Sequence, residues 1–117
     1  MDLNLTPNDM VTRCITNEFT DAIWTTLADA TSAKHTAEFQ IDQSRDTLGM
    51  KISGSIEHLS AANKLILGYA AWDVFMTTRT YFDISPDSPL SLTIDVAKRS
   101  VHLYHMALTP LVSVKDL

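Results

Sequence analysis

The chain has a single cysteine, Cys14, so it cannot close an internal disulfide. That predicts a reducing, cytoplasmic setting. It has three glycines, Gly49, Gly54 and Gly68, too few and too scattered to build a phosphate-cradling loop. P-loop, dinucleotide-binding and serine-hydrolase signatures are absent as well. Basic residues are scarce: nine Lys and Arg stand against fourteen Asp and Glu, for a formal net charge of -5. Without clustered cations there is nothing to grip a phosphate backbone, which argues against nucleic acid as a partner. The acids form no run either, which argues against a nucleic-acid mimic.

Long apolar runs are also missing. The most apolar stretch, Leu65 to Met76, is about a dozen residues, whereas a bilayer span needs about twenty. Met1-Asp2-Leu3-Asn4 has neither the basic nor the apolar region of a signal peptide. No repeat or low-complexity tract interrupts the chain.

What is present is a globular composition. The 117 residues are 45% hydrophobic and 20% charged, enough for one domain, 1–117, with a core that needs no staples. Thr6-Pro7 reads as a helix start, with threonine capping the first amides, proline in the first turn and Asp9 adding negative charge there. Val11, Ile15, Phe19, Ala22, Ile23, Leu27 and Ala30 follow at steps of three and four, which predicts an amphipathic helix over 7–31. Its many threonines weaken the propensity, and a break near Thr25-Thr26 is one outcome. From 35 to 54 the period changes to two, around Phe39 and Ile41 and again around Leu48, Met50 and Ile52. This predicts a β-hairpin with a loop of about five to seven residues. Ser55 or Ser60 then caps a second helix to about 82, apolar over more than half its circumference and therefore expected at the centre of the fold.

Ser85-Pro86-Asp87-Ser88-Pro89 breaks the chain. Beyond it, Leu90, Ile94, Ala97, Val101, Tyr104 and Leu108 make a stripe at steps of four and three. Residues 90–96 also alternate like a strand. The helical partition continues to Leu108 and the alternation fails at Ala97, so a third helix is expected, ending at Thr109-Pro110. The apolar tail 111–114 would pack back or meet another chain. The expected fold is thus α+β and mainly α: a bundle of three amphipathic helices with the hairpin inserted between the first and second, in the order α-β-β-α-α.

Asp73 is the oddity of the central helix. It shares a helical face with Ala62, Ile66 and Tyr69, and a buried carboxylate there would need a neighbouring hydroxyl or an arginine such as Arg13, Arg45 or Arg99. With Tyr69, Trp72 and Met76 it makes an apolar cluster with one polar group, the composition of a small-ligand pocket. An enzyme using Asp73 would need a second group at a matched position, and the sequence names none. His102 and His105 are three apart, with Asp95 two turns earlier, but no third ligand cluster accompanies them. No metal and no cofactor is expected. Cys14 reads as a packed thiol. Trp24 points off the core direction of the first helix, toward Met10, Ala28 and Cys14, so either the hairpin covers it or it centres a patch for a partner.

These features predict a small, acidic, non-catalytic protein-interaction module of inhibitor, immunity or phage or mobile-element accessory type. It would bind another protein or itself as a homodimer, through Trp24, Met10, Phe75 and Phe82. The alternative is a ligand-binding protein with its pocket at Asp73, Tyr69, Trp72 and Met76.

Overall fold

A computed structural model describes residues 5–30, 38–53, 60–106 and 109–117. Eight elements follow one another: α1 (Pro7–Glu18), α2 (Asp21–Ala30), β1 (Glu38–Ser44), β2 (Thr47–Ser53), α3 (Ala61–Phe82), β3 (Leu90–Asp95), β4 (Ser100–His105) and β5 (Thr109–Val114). The strands form one sheet in the order β2-β1-β3-β4-β5, and every neighbouring pair is antiparallel. The fold is therefore helices on a five-stranded sheet, and the expected three-helix bundle with a single hairpin is wrong.

The error lies after Pro89. Leu90, Leu92 and Ile94 are buried, and so are Val101 and Leu103, with Ser91, Thr93, Asp95 and His102 between them less so. That is the period of two of a half-buried strand. The alternation fails at Ala97 because the chain turns at 96–99, where Arg99 takes a positive φ of 47°. The helical stripe had counted Ala97, which is exposed in that turn. Leu108, its last member, lies outside the described residues. The tail at 111–114 is part of β5, an integral edge strand.

The first helical segment breaks earlier than Thr25-Thr26. α1 ends at Glu18, Phe19 leaves helical geometry, and α2 starts at Asp21. The break lets Phe19 and Trp24 both turn inward, with ring centroids 5.8 Å apart. At the other end Thr6 Oγ1 accepts from the Asp9 amide and Asp9 Oδ2 accepts from the Thr6 amide, each at 3.1 Å. This capping box satisfies two otherwise orphaned donors.

The hairpin is present, but its turn is the two residues Arg45-Asp46, shorter than expected. Arg45 takes the positive φ (53°) that two-residue hairpin turns demand. Ser60 caps α3 by accepting from the Asn63 amide at 3.1 Å; the alternative cap, Ser55, lies outside the described residues. Asp83, at φ 53°, ends the helix in a left-handed conformation.

All three helices lie on the sheet face that carries Ile41, Leu90, Leu92, Ile94, Val101, Leu103 and Val112. Together with Val11, Ile15, Leu27, Leu67, Val74 and Phe75 these make the core. The opposite face is polar, with Gln40, Asp42, Ser91, Thr93, Asp95, His102 and Tyr104. This is the usual economy of an antiparallel sheet, one face dry and one wet.

Candidate functional site

α3 is apolar over more than half its circumference, yet the fold covers it on one side only. Leu67, Ala70, Ala71, Val74, Phe75, Thr78 and Arg79 face the core. Leu65 is 59% exposed, Ile66 51% and Tyr69 69%. This one-sided covering reverses the central position expected of the helix. Five strands supply enough apolar surface to fill the core from one side, so the second side of α3 is left over.

That reversal removes the puzzle of Asp73. The face it shares with Ala62, Ile66 and Tyr69 is the outward one, and Asp73 itself is exposed. It needs no buried counter-charge. Arg45 pairs with Asp87 at 2.6 Å and Arg99 with Asp21 at 3.0 Å. The group that meets Asp73 is another acid, Glu18, at the end of α1. Partial burial pushes the Glu18 carboxyl above its ordinary pKa, and a hydrogen bond to Asp73 and the Asp73 charge add to the rise. Cys14 sits on the same seam, accepting from Thr77 Oγ1 at 3.4 Å. Burial, more than the nearby acids, raises its pKa, so it stays a thiol.

Beside the exposed face runs a groove of about 560 Å³ between α3 and β2, lined by Leu48, Ala61, Lys64, Leu65, Gly68, Tyr69 and Trp72. Of the expected pocket residues, Tyr69 and Trp72 line it. Asp73 lies toward α1 instead, and Met76 packs against the core. Sequence reasoning missed Leu48, Lys64, Leu65 and Gly68. The available signal was the apolar circumference of the helix, which does not say which side the fold leaves bare. Among the described residues a Cβ built on Gly68 would meet only Leu48 Cδ2, at 3.6 Å, an ordinary contact, so none of them requires glycine there.

The expected interaction residues are not gathered on one surface. Trp24 is 1% exposed and Phe75 is fully buried, while Met10 and Phe82 are half-buried. Trp24 belongs to the core, packed on Phe19. His102 and His105 sit on a strand, where a spacing of three puts them on opposite faces. His102 Nδ1 pairs with Ser113 Oγ at 2.9 Å, and His105 Nε2 with Ser88 Oγ at 2.7 Å. Among the described residues no group of three His, Cys, Asp or Glu is arranged to hold a metal ion. No described helix is long and apolar enough to cross a membrane.

A second structural centre lies at the far end of α3. Arg79 is buried and forms no ion pair with a carboxylate among the described residues. Its Nε donates to Gln43 Oε1 at 2.9 Å, its Nη2 to Ser88 O at 2.8 Å, and its Nη1 to Ser85 O. It ties the end of β1 and the 84–89 loop to the helix, and so fixes α3 against the hairpin. In comparisons with protein-family models, curated proteins and solved structures, the chain finds no match of any kind.

Proposed function

We propose that the protein is a non-catalytic interaction module that associates with itself through the outward face of α3, in a reducing, cytoplasmic setting. The observation that carries this is the contiguous apolar surface of Leu65, Ile66 and Tyr69, continued by Trp72 and Leu48 in the groove. Scattered exposed apolar residues are normal on a monomer, but a contiguous strip along a helix rimmed by charges such as Lys64 and Asp73 has the make-up of an interface. Self-association is the economical use of such a strip, because a two-fold axis covers both copies with one contact.

Light scattering across a concentration series tests this. Wild-type protein is expected to rise from single-chain toward double mass, and Tyr69→Asp to stay at single-chain mass with its melting temperature retained. Wild-type protein that is monomeric at every concentration overturns the proposal. The groove supports a second reading, an apolar small ligand, since its volume and lining suit one. Thermal stabilisation by a panel of apolar ligands, abolished by Gly68→Leu, would favour that reading.

A further inference from the structure

β4 turns Ser100 and His102 to the sheet face away from the helices, because Val101 and Leu103 belong to the core. At that end of the sheet the chain closes over them from two directions. The turn at 96–99 comes from one side, held by the Lys98 amide donating to Asp95 Oδ1 at 3.1 Å. The tail after β5 comes from the other. One step beyond the last β4–β5 pair at this end, Val101 with Val114, Lys115 arrives beside Ser100. Asp116 then takes a positive φ of 57°, a left-handed bend that aspartate tolerates. The Leu117 amide donates to the Arg99 carbonyl at 3.1 Å and ties the tail to the turn. Between the two lies a cleft of about 480 Å³, lined by Ala97, Lys98, Ser100, His102, Lys115 and Asp116.

Ser100 is 2% exposed, and its Oγ, shut away from solvent, has no hydrogen-bond partner among the described residues. A buried hydroxyl left in that state is unfavourable. It marks a place for a polar group that the described residues do not supply. Lys98 and Lys115 bring two ammonium groups to the walls of the same cleft, in a chain of net charge -5. Neither makes an ion pair among the described residues. Asp116 is the one carboxylate of the lining. His102 Nδ1 is engaged with Ser113 Oγ at 2.9 Å, so Nε2 is the nitrogen left for a ligand. Positive charge on two walls, above a hydroxyl and an imidazole, is the make-up of an anion site.

We propose that this cleft binds the phosphate group of a small phosphomonoester. Lys98 and Lys115 offset its charge. The Ser100 hydroxyl donates to one phosphate oxygen and His102 Nε2 to another, with the Ser113 hydroxyl donating to Nδ1 and so fixing that tautomer. The donors favour phosphate over a carboxylate. A planar carboxylate is matched best by a guanidinium fork, and Arg99, in the same turn, is held by Asp21 at 3.0 Å. Lysines act as point charges and suit an anion with oxygens on several sides. The cleft has the volume of a small-molecule site, more than a bare phosphate ion fills, so the organic part of an ester has room. The site lies across the sheet from α3 and does not depend on the self-association proposed above.

Amide NMR titrations at fixed ionic strength, with phenyl phosphate, inorganic phosphate and acetate, test the site. Phenyl phosphate is expected to give saturable shifts confined to the 96–102 and 113–117 segments. Inorganic phosphate should bind more weakly, and acetate not at all. Lys98→Ala and Lys115→Ala, at exposed positions, should each weaken binding about threefold, the size of an exposed ion pair. Ser100→Ala should weaken it about tenfold, yet raise the melting temperature of the free protein, since it removes the unpartnered hydroxyl. A hydroxyl that meets only water would give the rise in melting temperature with affinity unchanged, and that result overturns the proposal. So do shifts that never saturate, acetate binding as tightly as phosphate, or lysine variants that bind like wild type. Inorganic phosphate binding as tightly as the ester overturns the ester and leaves the phosphate site standing.

Discussion

The guanidinium of Arg79 grips the side-chain oxygen of Gln43 from two nitrogens, Nε at 2.9 Å and Nη2 at 2.5 Å. Gln43 Nε2 in turn donates to the Arg45 carbonyl at 2.5 Å. A charge buried among neutral acceptors is held by their number, and burial pulls the Arg79 pKa down while Asp87 partly opposes it. Removing one member strands the others without water to replace it. Arg79→Met is expected to lower unfolding free energy by roughly 3 kcal/mol. Gln43→Met should cost less, and the double variant less than the sum. Urea unfolding of the cycle measures this; additive losses would mean the two residues act independently.

Trp24→Ala is expected to destabilise by about 3–5 kcal/mol, as deleting a large core side chain does, with no effect on association beyond that of unfolding. The ring is buried against Phe19, and its Nε1 has no hydrogen-bond partner among the described residues. Denaturant midpoints and light scattering read the two effects separately. Loss of association with stability intact would return Trp24 to the surface.

Gly68→Ala should act in opposite directions on the two properties. Alanine is favoured over glycine inside a helix by about 1 kcal/mol, and among the described residues the new methyl meets only Leu48, at ordinary contact distance. The monomer is therefore expected to gain stability. Because Gly68 lines the groove, self-association should weaken. A sedimentation series together with a melt distinguishes this from a simple gain in both.

The Glu18–Asp73 pair gives a pH dependence with a definite sign. A carboxyl whose folded pKa is raised above 4.5 binds its proton more tightly when folded. Its contribution is fully present below the unfolded value and is lost as pH climbs through the folded one. Glu18→Gln is expected to flatten the fall in melting temperature above pH 4.5 and to raise it at neutral pH. Asp73→Asn, which removes the charge acting on Glu18, should do the same in smaller measure. Unchanged profiles in both variants would show that the acids do not interact.

Asp83→Gly should stabilise the end of α3. The residue holds a positive φ of 53°, which glycine adopts without penalty, and it places an acid where the helix end favours a cation. A gain of about 0.5–1 kcal/mol in thermal unfolding is expected.

Local signals were legible wherever short-range chemistry decides. The Thr6 cap with Asp9 in the first turn, Ser60 of the two candidate caps, the hairpin apart from its shorter turn, and the Pro86–Pro89 break all stand where the side chains indicated. The third helix failed because the apolar positions of 90–104 satisfy both periods. The choice between them is made by β1, whose Phe39, Ile41 and Gln43 register against Ile94, Leu92 and Leu90 from far along the chain. The same misreading turned α3 around. With two more helices available to bury it, both its sides would be covered; with a sheet instead, only one is. Trp24 looked peripheral for a related reason, since a continuous helix over 7–31 leaves it off the stripe and the break at Phe19-Thr20 rotates it in.

Ile41 and Leu92 sit side by side in the middle of the sheet, yet all of β2 and α3 lies between them in the chain. Until they meet, the protein is two separate ladders, a hairpin and a three-strand meander, each with its future centre unzipped. Closing that long loop is the entropically expensive event. Refolding should therefore slow when Ile41 or Leu92 is trimmed, whereas trimming Val112 near the far edge should mainly hasten unfolding.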